Sequence, residues 1–131
     1  MEMPSRSQHP AKARHLSQGA AAEAAARHFL ESQGFRLVQA NFRCRRGEID
    51  LVMQDAAVLV FAEVRMRNHA DFGGAVASVT LAKQKKIIAS AQAFLQHHPE
   101  FARCNCRFDV LAMQAGTQGW EVEWLPAAFT T

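Results

Sequence analysis

The first part of the chain carries apolar residues at helical spacing. Ser17 is predicted to cap a helix that continues through an alanine-rich run, and Gly34 is predicted to end it because glycine readily adopts the left-handed conformation found there. The apolar stripe of this helix is narrow where alanines dominate, which lets a helix approach a sheet closely. Its members are Ala22, Ala25, Ala26, Phe29 and Leu30.

The rest of the chain predicts strands on both sides of a second helix. Three strand candidates lie at about 35–43, 47–54 and 57–67, followed by a glycine-hinged loop at 71–74. The second helix runs from about 80 to 98, where Pro99 ends it. Its apolar seam consists of Leu81, Gln84, Ile87, Ile88, Ala91, Phe94 and Leu95. Two further strands are predicted at 107–113 and 120–125, the last with Trp120, Val122 and Trp124 on one face.

This order predicts an α/β fold with a mixed central β-sheet flanked by helices, in the order α-β-β-β-α-β-β. The 131 residues suit one domain, at 16–131, preceded by a flexible tail at 1–15. No signal-peptide core and no apolar run of membrane-spanning length occurs, so we expect neither secretion nor membrane insertion. The three cysteines make a poor disulfide framework and favour free thiols in the cytoplasm.

Two carboxylates stand out on neighbouring strand candidates. Asp50 lies in the run GEIDLVM and Glu63 in the run VLVFAEVR. If these runs form a hairpin with an even-numbered loop, both carboxylates point to the same face. Opposed like charges repel, and a cation such as Mg²⁺ or Mn²⁺ would relieve that repulsion. Arg65 shares the face, and the pattern is typical of a metal-dependent site that cleaves phosphodiesters. The alternative is that each acid pairs with an arginine.

Three other acidic residues are candidates for ligand or salt-bridge roles. Glu48 would lie on the same strand face as Asp50. It could be a third metal ligand, a hydrogen-bond acceptor for the groups around the ligands, or an ion-pair partner of Arg46. Glu23 could complete the metal shell from across the sheet, or form an i,i+4 pair with Arg27. Asp109 is predicted to form a structural salt bridge with Arg107 on the same strand face.

Gln84 is a polar side chain in an apolar seam, so it needs a hydrogen-bonding partner. With Lys83 beside it and the positive helix N-terminus nearby, it could attract phosphate. It could equally belong to a half-exposed first turn. Lys85 and Lys86 belong to a solvated face that could contact phosphate.

Positive charge is concentrated around the acidic pair. The formal charge of the whole chain is +3, yet nine Lys/Arg against five acids between Arg36 and Lys86 leave that stretch at +4. A basic surround of this kind suits a polyanionic partner, although dispersed surface charge would give the same count.

Several short motifs occur in one order over roughly residues 17–129: Gly19-x₃-Glu23-x-Ala25-Ala26, Asn41-Phe42-Arg43, Arg46-Gly47-Glu48-Ile49-Asp50-Leu51, Val60-Phe61-x-Glu63-Val64-Arg65-x-Arg67, Phe72-Gly73, Thr80-x₂-Lys83, Arg107-Phe108-Asp109-Val110 and Ala128-Phe129. Together they resemble the YraN family of uncharacterised bacterial proteins. That family is similar to the PD-(D/E)xK nuclease superfamily, which implies a restriction endonuclease-like fold like that of Holliday junction resolvases.

The resemblance also implies roles for individual residues. Asp50 matches the metal-binding aspartate, Glu63 the acid of the E-x-K element, and Glu23 the helix-one glutamate of resolvase-like members. Lys83 or Gln84 falls where many members carry a supporting residue. The chain departs from the family at Arg65, where lysine is usual. Arginine stays protonated and cannot act as a base, but it can neutralise developing charge.

Two hypotheses follow from the sequence. The first is a Mg²⁺- or Mn²⁺-dependent nuclease acting on DNA, with branched or damaged DNA as candidate substrates and with Asp50, Glu63 and Glu23 on the metal. Arg65 with Lys83 or Gln84 would orient water and phosphate. Backbone phosphates would be contacted by Arg43, Arg45, Arg46, Arg67, Lys85 and Lys86. A symmetric homodimer would suit two-fold branched DNA. The second is a non-catalytic nucleic-acid-binding or adaptor domain that retains the nuclease fold.

Overall fold

A computed structural model describes residues 10–67 and 79–131 of the chain, with side chains from residue 18 onward. The elements, in chain order, are α1 (Pro10–Ser32), β1 (Arg36–Cys44), β2 (Gly47–Asp55), β3 (Val58–Met66), α2 (Leu81–His97), β4 (Asn105–Gly116) and β5 (Gly119–Phe129). A short 3-10 helix at Pro99–Phe101 follows α2. The predicted order is confirmed, and it is consistent with a restriction endonuclease-like fold. The predicted loop at 71–74 lies outside the described residues.

The first helix begins earlier than the sequence predicts. It starts at Pro10, so Ser17 lies within α1 rather than at its N-cap, and residues 10–15 of the predicted tail are helical. Proline is tolerated in the first turn of a helix, where its missing N–H has no partner to lose. The residues that follow are mostly good helix formers, which extend a helix without an apolar stripe.

The five strands form one sheet in the order β1-β2-β3-β4-β5. All neighbours are antiparallel except β3 and β4, which are parallel and joined by way of α2. A parallel pair needs a long crossover connection, and a helix provides one. The consequence is that the N-terminus of α2 lies near the end of β3 that carries Glu63.

Each face of the sheet carries its own hydrophobic cluster. On one face Phe61 and Phe108 pack with Ile87 and Phe94 of α2. On the other face α1 contributes Ala22, Ala26 and Leu30, with Ala25, Phe29, Trp120 and Trp124 packed around them. The predicted α1 stripe is therefore confirmed, and the predicted shared face of Trp120, Val122 and Trp124 packs against the same cluster. The α2 seam is confirmed from Ile87 onward, but Leu81 is 66% exposed and lies outside it.

The β2–β3 hairpin has the even-numbered loop on which the site prediction depends. Asp55 pairs with Val58, which leaves the two-residue loop Ala56–Ala57. The ladder continues to the Leu51–Ala62 pair, so Asp50 and Glu63 are the next positions on the two strands. This register brings both acids to the same end of the hairpin.

Candidate functional site

The two strands of the hairpin separate at Asp50 and Glu63, and the site lies in this fork. The backbone N–H of Val64 donates to Asp50 Oδ2 at 2.8 Å. The carboxylate therefore accepts from β3 beyond the last backbone pair of the ladder. Both acidic residues are buried: Asp50 is 8% exposed and Glu63 is 6% exposed. Buried carboxylates usually need strong partners, so their surroundings decide what this site can do.

Glu63 is held by two cations that contact the same oxygen. Lys83 Nζ lies 3.3 Å and Arg65 Nη1 3.4 Å from Glu63 Oε2. Lys83 comes from the first turn of α2, whereas Arg65 lies two residues along β3 on the same face. The alternative prediction is that each acid pairs with an arginine. Glu63 does contact Arg65, together with Lys83, whereas Asp50 accepts a hydrogen bond from a peptide N–H.

Asp50 carries a strongly perturbed carboxyl group. Burial raises its pKa from 3.8 to about 7, and the charge of Glu63 adds to the rise. The hydrogen bond from the Val64 N–H lowers the pKa but does not offset burial, and Glu23 and Glu48 raise it further. A carboxylate this poorly compensated favours either a proton or a cation at the fork.

Glu23 faces the fork from α1, on the other side of the sheet from Lys83. It is half-buried, and burial raises its pKa, whereas a hydrogen bond with the side chain of Asn41 lowers it. The predicted pair with Arg27 is wrong, because Arg27 Nε instead lies 3.1 Å from Glu31 Oε2. The charges of Glu23, Asp50 and Glu63 all influence one another, so Glu23 belongs to the same electrostatic cluster.

Glu48 pairs with Arg43 rather than with Arg46. Arg43 Nε and Glu48 Oε1 are 3.3 Å apart, and the two residues are direct partners in the β1–β2 ladder. Directly opposed residues on neighbouring strands lie closer than two residues that are separated by one position along the chain. Glu48 therefore pairs with Arg43 across the ladder and not with Arg46. Glu48 is largely exposed, so it lies at the outer rim of the carboxylate cluster.

The start of α2 separates the roles of Lys83 and Gln84. Thr80 caps the helix by accepting from the Lys83 N–H at 3.2 Å. The Gln84 side chain donates from Nε2 to the carbonyl oxygen of Val79 at 3.1 Å. The partner that Gln84 needs is therefore the backbone before the helix, while Lys83 reaches the carboxylate of Glu63.

The remaining basic residues predicted to contact phosphate fall into two groups. Arg43 and Arg67 are paired with acids, since Arg67 Nη1 contacts Glu123 Oε1 on β5. The others are exposed on the turn between β1 and β2 and on α2: Arg45, Arg46, Lys85 and Lys86.

Asp109 has the structural role that the sequence predicts. It accepts two bonds from Arg107, at 2.8 and 2.9 Å, and one each from Trp124 Nε1 and the Ala127 N–H. This fully buried carboxylate joins β4 to β5 and takes no part in the fork.

Comparison with known proteins identifies the family. The sequence profile described as "Uncharacterised protein family UPF0102" matches residues 22–113. This chain belongs to the UPF0102 family. A UPF0102 protein from Pseudomonas entomophila is 50% identical over 112 residues, which is 85% of this chain and 91% of the relative. One from Saccharophagus degradans is 48% identical over 118 residues (90% and 97%), and one from Stutzerimonas stutzeri 48% over 113 residues (86% and 94%).

The family assignment confirms the YraN resemblance, and the names of these relatives give no activity. What this UPF0102 member can bind must therefore be argued from its own residues. Among the residues whose side chains are described, no group of three or more His, Cys, Asp or Glu is arranged to hold a metal ion. Mg²⁺, however, is commonly held by one or two carboxylates together with water and substrate phosphates. The Asp50–Glu63 pair fits that kind of donor set.

Two other features of the UPF0102 chain lie away from the fork. A mainly apolar cavity of about 560 Å³ lies between the second half of α2 and the C-terminal residues, lined by Phe61, Leu95, Phe108 and Phe129 among others. It includes none of the predicted site residues. Of the helices in the described ranges, none is both long and apolar enough to cross a bilayer.

Two contributors to the site were missed by sequence reasoning. The first is the Val64 N–H, because a peptide group carries no signal of its own in a sequence. The second is Asn41, which has φ 55° within β1 and whose side chain bonds to Glu23. Asparagine is among the few residues that tolerate positive φ, so an asparagine inside a strand pattern was the available signal.

Proposed function

We propose that this protein is a cytoplasmic nuclease that uses Mg²⁺ or Mn²⁺ to hydrolyse phosphodiester bonds in DNA, including branched DNA. The observation that carries the proposal is the buried Asp50–Glu63 pair at the hairpin fork, with Lys83 and Arg65 on Glu63. Three free cysteines support a reducing compartment.

The carboxylates would hold the metal. Asp50 and Glu63 supply hard oxygen ligands on rigid strands, and Glu23 would add a third oxygen from α1. When bound, the metal would polarise a phosphoryl oxygen and lower the pKa of a water molecule. The high pKa of Asp50 supports this role, because a divalent ion would compensate the repulsion among the acids.

The two cations would act on the phosphate. Lys83 can shift its ammonium from Glu63 to a phosphoryl oxygen, since its flexible stem reaches the fork from the first turn of α2. Arg65 stays protonated and would neutralise charge as the phosphate reacts, without accepting a proton. Gln84 holds the backbone that precedes the helix and would thereby position Lys83.

The contact between Arg65 and Glu63 also favours a second function. A guanidinium 3.4 Å from Glu63 Oε2 already neutralises part of the charge that a metal would compensate. A non-catalytic nucleic-acid-binding or adaptor domain would therefore bind nucleic acid without metal dependence.

Cleavage of a labelled substrate panel would test the proposal. Single-stranded, duplex, flap and four-way-junction DNA would be incubated in Mn²⁺, Mg²⁺ or EDTA with wild type, Asp50→Asn and Arg65→Lys. Asp55→Asn is a matched control, because Asp55 lies at the far end of the same strand. We expect metal-dependent cleavage by wild type and Asp55→Asn, and none by Asp50→Asn.

Other outcomes would redirect the interpretation. Cleavage that appears only in Arg65→Lys would identify Arg65 as the change that disables the site. Equal cleavage by wild type and Asp50→Asn would contradict the proposal. No cleavage by any variant, with retained DNA binding, would favour the adaptor function.

A further inference from the structure

The turn between β1 and β2 packs against the middle of α2. Gly47, which ends this turn, has φ +150°, and a Cβ there would lie 3.3 Å from Ser90 Oγ and 3.9 Å from Lys86 Cβ. Cys44, just before the turn, has its Sγ 3.6 Å from Ser90 Oγ. Glycine thus permits a close approach that fixes the turn on the helix.

Exposed positive charges meet where the turn and the helix join. Arg45 and Arg46 form the turn and are exposed, and Lys86 is exposed on α2 beside Gly47. Two acids near this surface already have cation partners, since Glu48 pairs with Arg43, and Glu63 with Lys83 and Arg65. The charges of the turn and of Lys86 therefore face solvent.

This charged surface continues toward the carboxylate pair. Lys83 and Lys86 are three residues apart on α2, so they share a face and lie about 4.5 Å apart along the helix axis. Lys83 contacts Glu63, whereas Lys86 lies beside the turn, with its Cβ 3.9 Å from where a Cβ on Gly47 would lie. One face of α2 thus connects the fork to the basic turn.

We propose that Arg45, Arg46 and Lys86 form a phosphate-binding ridge that holds the sugar–phosphate backbone of a nucleic acid on one side of the fork. The inference deepens the proposed function and relies on it only for the position of the cut. It also revises the predicted contact set, because Arg43 and Arg67 are engaged with Glu48 and Glu123. The positive charge of the ridge favours a polyanion as its partner. Because the ridge lies next to the fork, the partner must be long enough to contact both the ridge and the fork.

Salt-dependent binding would test the ridge without cleavage. Fluorescence anisotropy with labelled duplex and junction DNA would be measured in EDTA over a range of salt concentrations, in the Asp50→Asn background. Arg46→Gln and Lys86→Gln are expected to weaken binding roughly threefold or more, and to make the slope of log K against log salt less negative by about 0.9 per contact. Arg36→Gln and Arg103→Gln remove the same charge at exposed positions outside the ridge and should leave binding unchanged.

A second pair of variants tests the packing of the turn while keeping every charge. Gly47→Ala would strain the backbone and press against Ser90, which should separate the turn from α2 and weaken binding. Gly119→Ala is the matched control, since Gly119 has φ +109° at the turn between β4 and β5 and a Cβ there would meet no atom within 4 Å. Thermal melts would verify that both variants fold.

The results separate the ridge from the nuclease. Charge variants that weaken binding, together with a wild type that cleaves no DNA of the panel in Mn²⁺ or Mg²⁺, would support the ridge and contradict the proposed function. Cleavage by wild type with unaltered binding in Arg46→Gln and Lys86→Gln would overturn the ridge alone. Equal losses in the control variants would also overturn it. Binding to anionic lipid vesicles that exceeds binding to DNA, and depends on the same residues, would overturn nucleic acid as the occupant.

Discussion

Two aspartates are buried in this sheet, and their partners differ sharply. Asp109 accepts from the Arg107 guanidinium, the Trp124 indole and a backbone N–H. Asp50 accepts from the Val64 N–H and is surrounded by other acids. A buried charge without a counter-ion destabilises a fold. At the residue scale, the burial of Asp50 therefore lowers the stability of the fold and raises the pKa of its carboxyl group.

Asp50→Asn is expected to stabilise the metal-free protein at pH 8 by roughly 1–3 kcal/mol, because it removes a buried negative charge. Between pH 3.8 and about 7 the folded state binds more protons at Asp50 than the unfolded state. Wild type should therefore lose stability relative to Asp50→Asn as pH rises through this window, and the difference should level off above it. Urea unfolding in EDTA across this pH range would measure it.

The control for this effect is Asp55→Asn, on the same strand. Asp55 is half-buried at the far end of the strand, so its substitution removes a carboxylate from β2 without touching the fork. A pH-independent difference for Asp50→Asn would contradict the assignment of the perturbed pKa to Asp50.

Lys83 and Arg65 both contact Glu63, but they come from different elements. If the protein is the proposed nuclease, Lys83→Met should reduce cleavage by roughly a hundredfold or more, since it would remove the charge that is proposed to act on the phosphate. Lys83→Arg keeps the charge and should retain more activity than Lys83→Met. Single-turnover cleavage would separate the chemical step from DNA binding. Equal rates for wild type and Lys83→Met would exclude Lys83 from the reaction.

At the element scale, the last two strands depend on Asp109. Asp109→Ala is expected to destabilise the protein by about 3–5 kcal/mol, because it leaves the Arg107 charge and the Trp124 N–H without their partner. Glu121→Ala, at an exposed position on β5, should have little effect. Denaturant unfolding would compare them, and similar stability of the two variants would contradict the role of Asp109.

The elements themselves were largely predictable from the sequence. The bounds of β1, β2 and β3 lie within about one residue of the prediction, because short apolar runs bounded by polar breaks mark buried strands well. The last strand was predicted only to residue 125, but β5 runs to Phe129. The strand continues through Pro126, because a proline is tolerated on an edge strand such as β5.

The positions of the site residues that follow from the β2–β3 hairpin were predictable from the sequence. The side-chain partners of Glu48 and Gln84 were not. The even-numbered hairpin loop follows from the positions of two apolar runs, so the placement of Asp50 and Glu63 at the same end of the hairpin could be anticipated. The partner of Glu48 could not, because choosing Arg43 over Arg46 requires the β1–β2 register. The contact of Gln84 with Val79 likewise depends on how the chain enters α2.

At the scale of the whole molecule, metal binding should appear as added stability. A hundredfold excess of Mn²⁺ over its Kd would stabilise the folded state by about 2.7 kcal/mol if the unfolded chain binds none. The stabilisation should be larger at pH 8 than at pH 5.5, because Asp50 must lose its proton to bind the ion. Thermal melts with and without Mn²⁺ would measure both effects.

Asp50→Asn should abolish this stabilisation, and Glu23→Gln should reduce it, since Glu23 would supply an additional oxygen rather than a principal ligand. An equal rise in melting temperature for wild type and Asp50→Asn would place any bound metal elsewhere. A rise in Arg65→Lys that is absent in wild type would show that the guanidinium blocks the ion.

The bond from the Val64 N–H to Asp50 has a practical consequence for mutational scanning. Alanine at position 50 would remove the acceptor of a part-buried peptide N–H, so the hairpin would be damaged together with the charge. A routine alanine scan would then classify Asp50 as a folding residue and hide any part it has in chemistry. Asparagine keeps a carbonyl oxygen for that N–H, so this substitution separates the two roles.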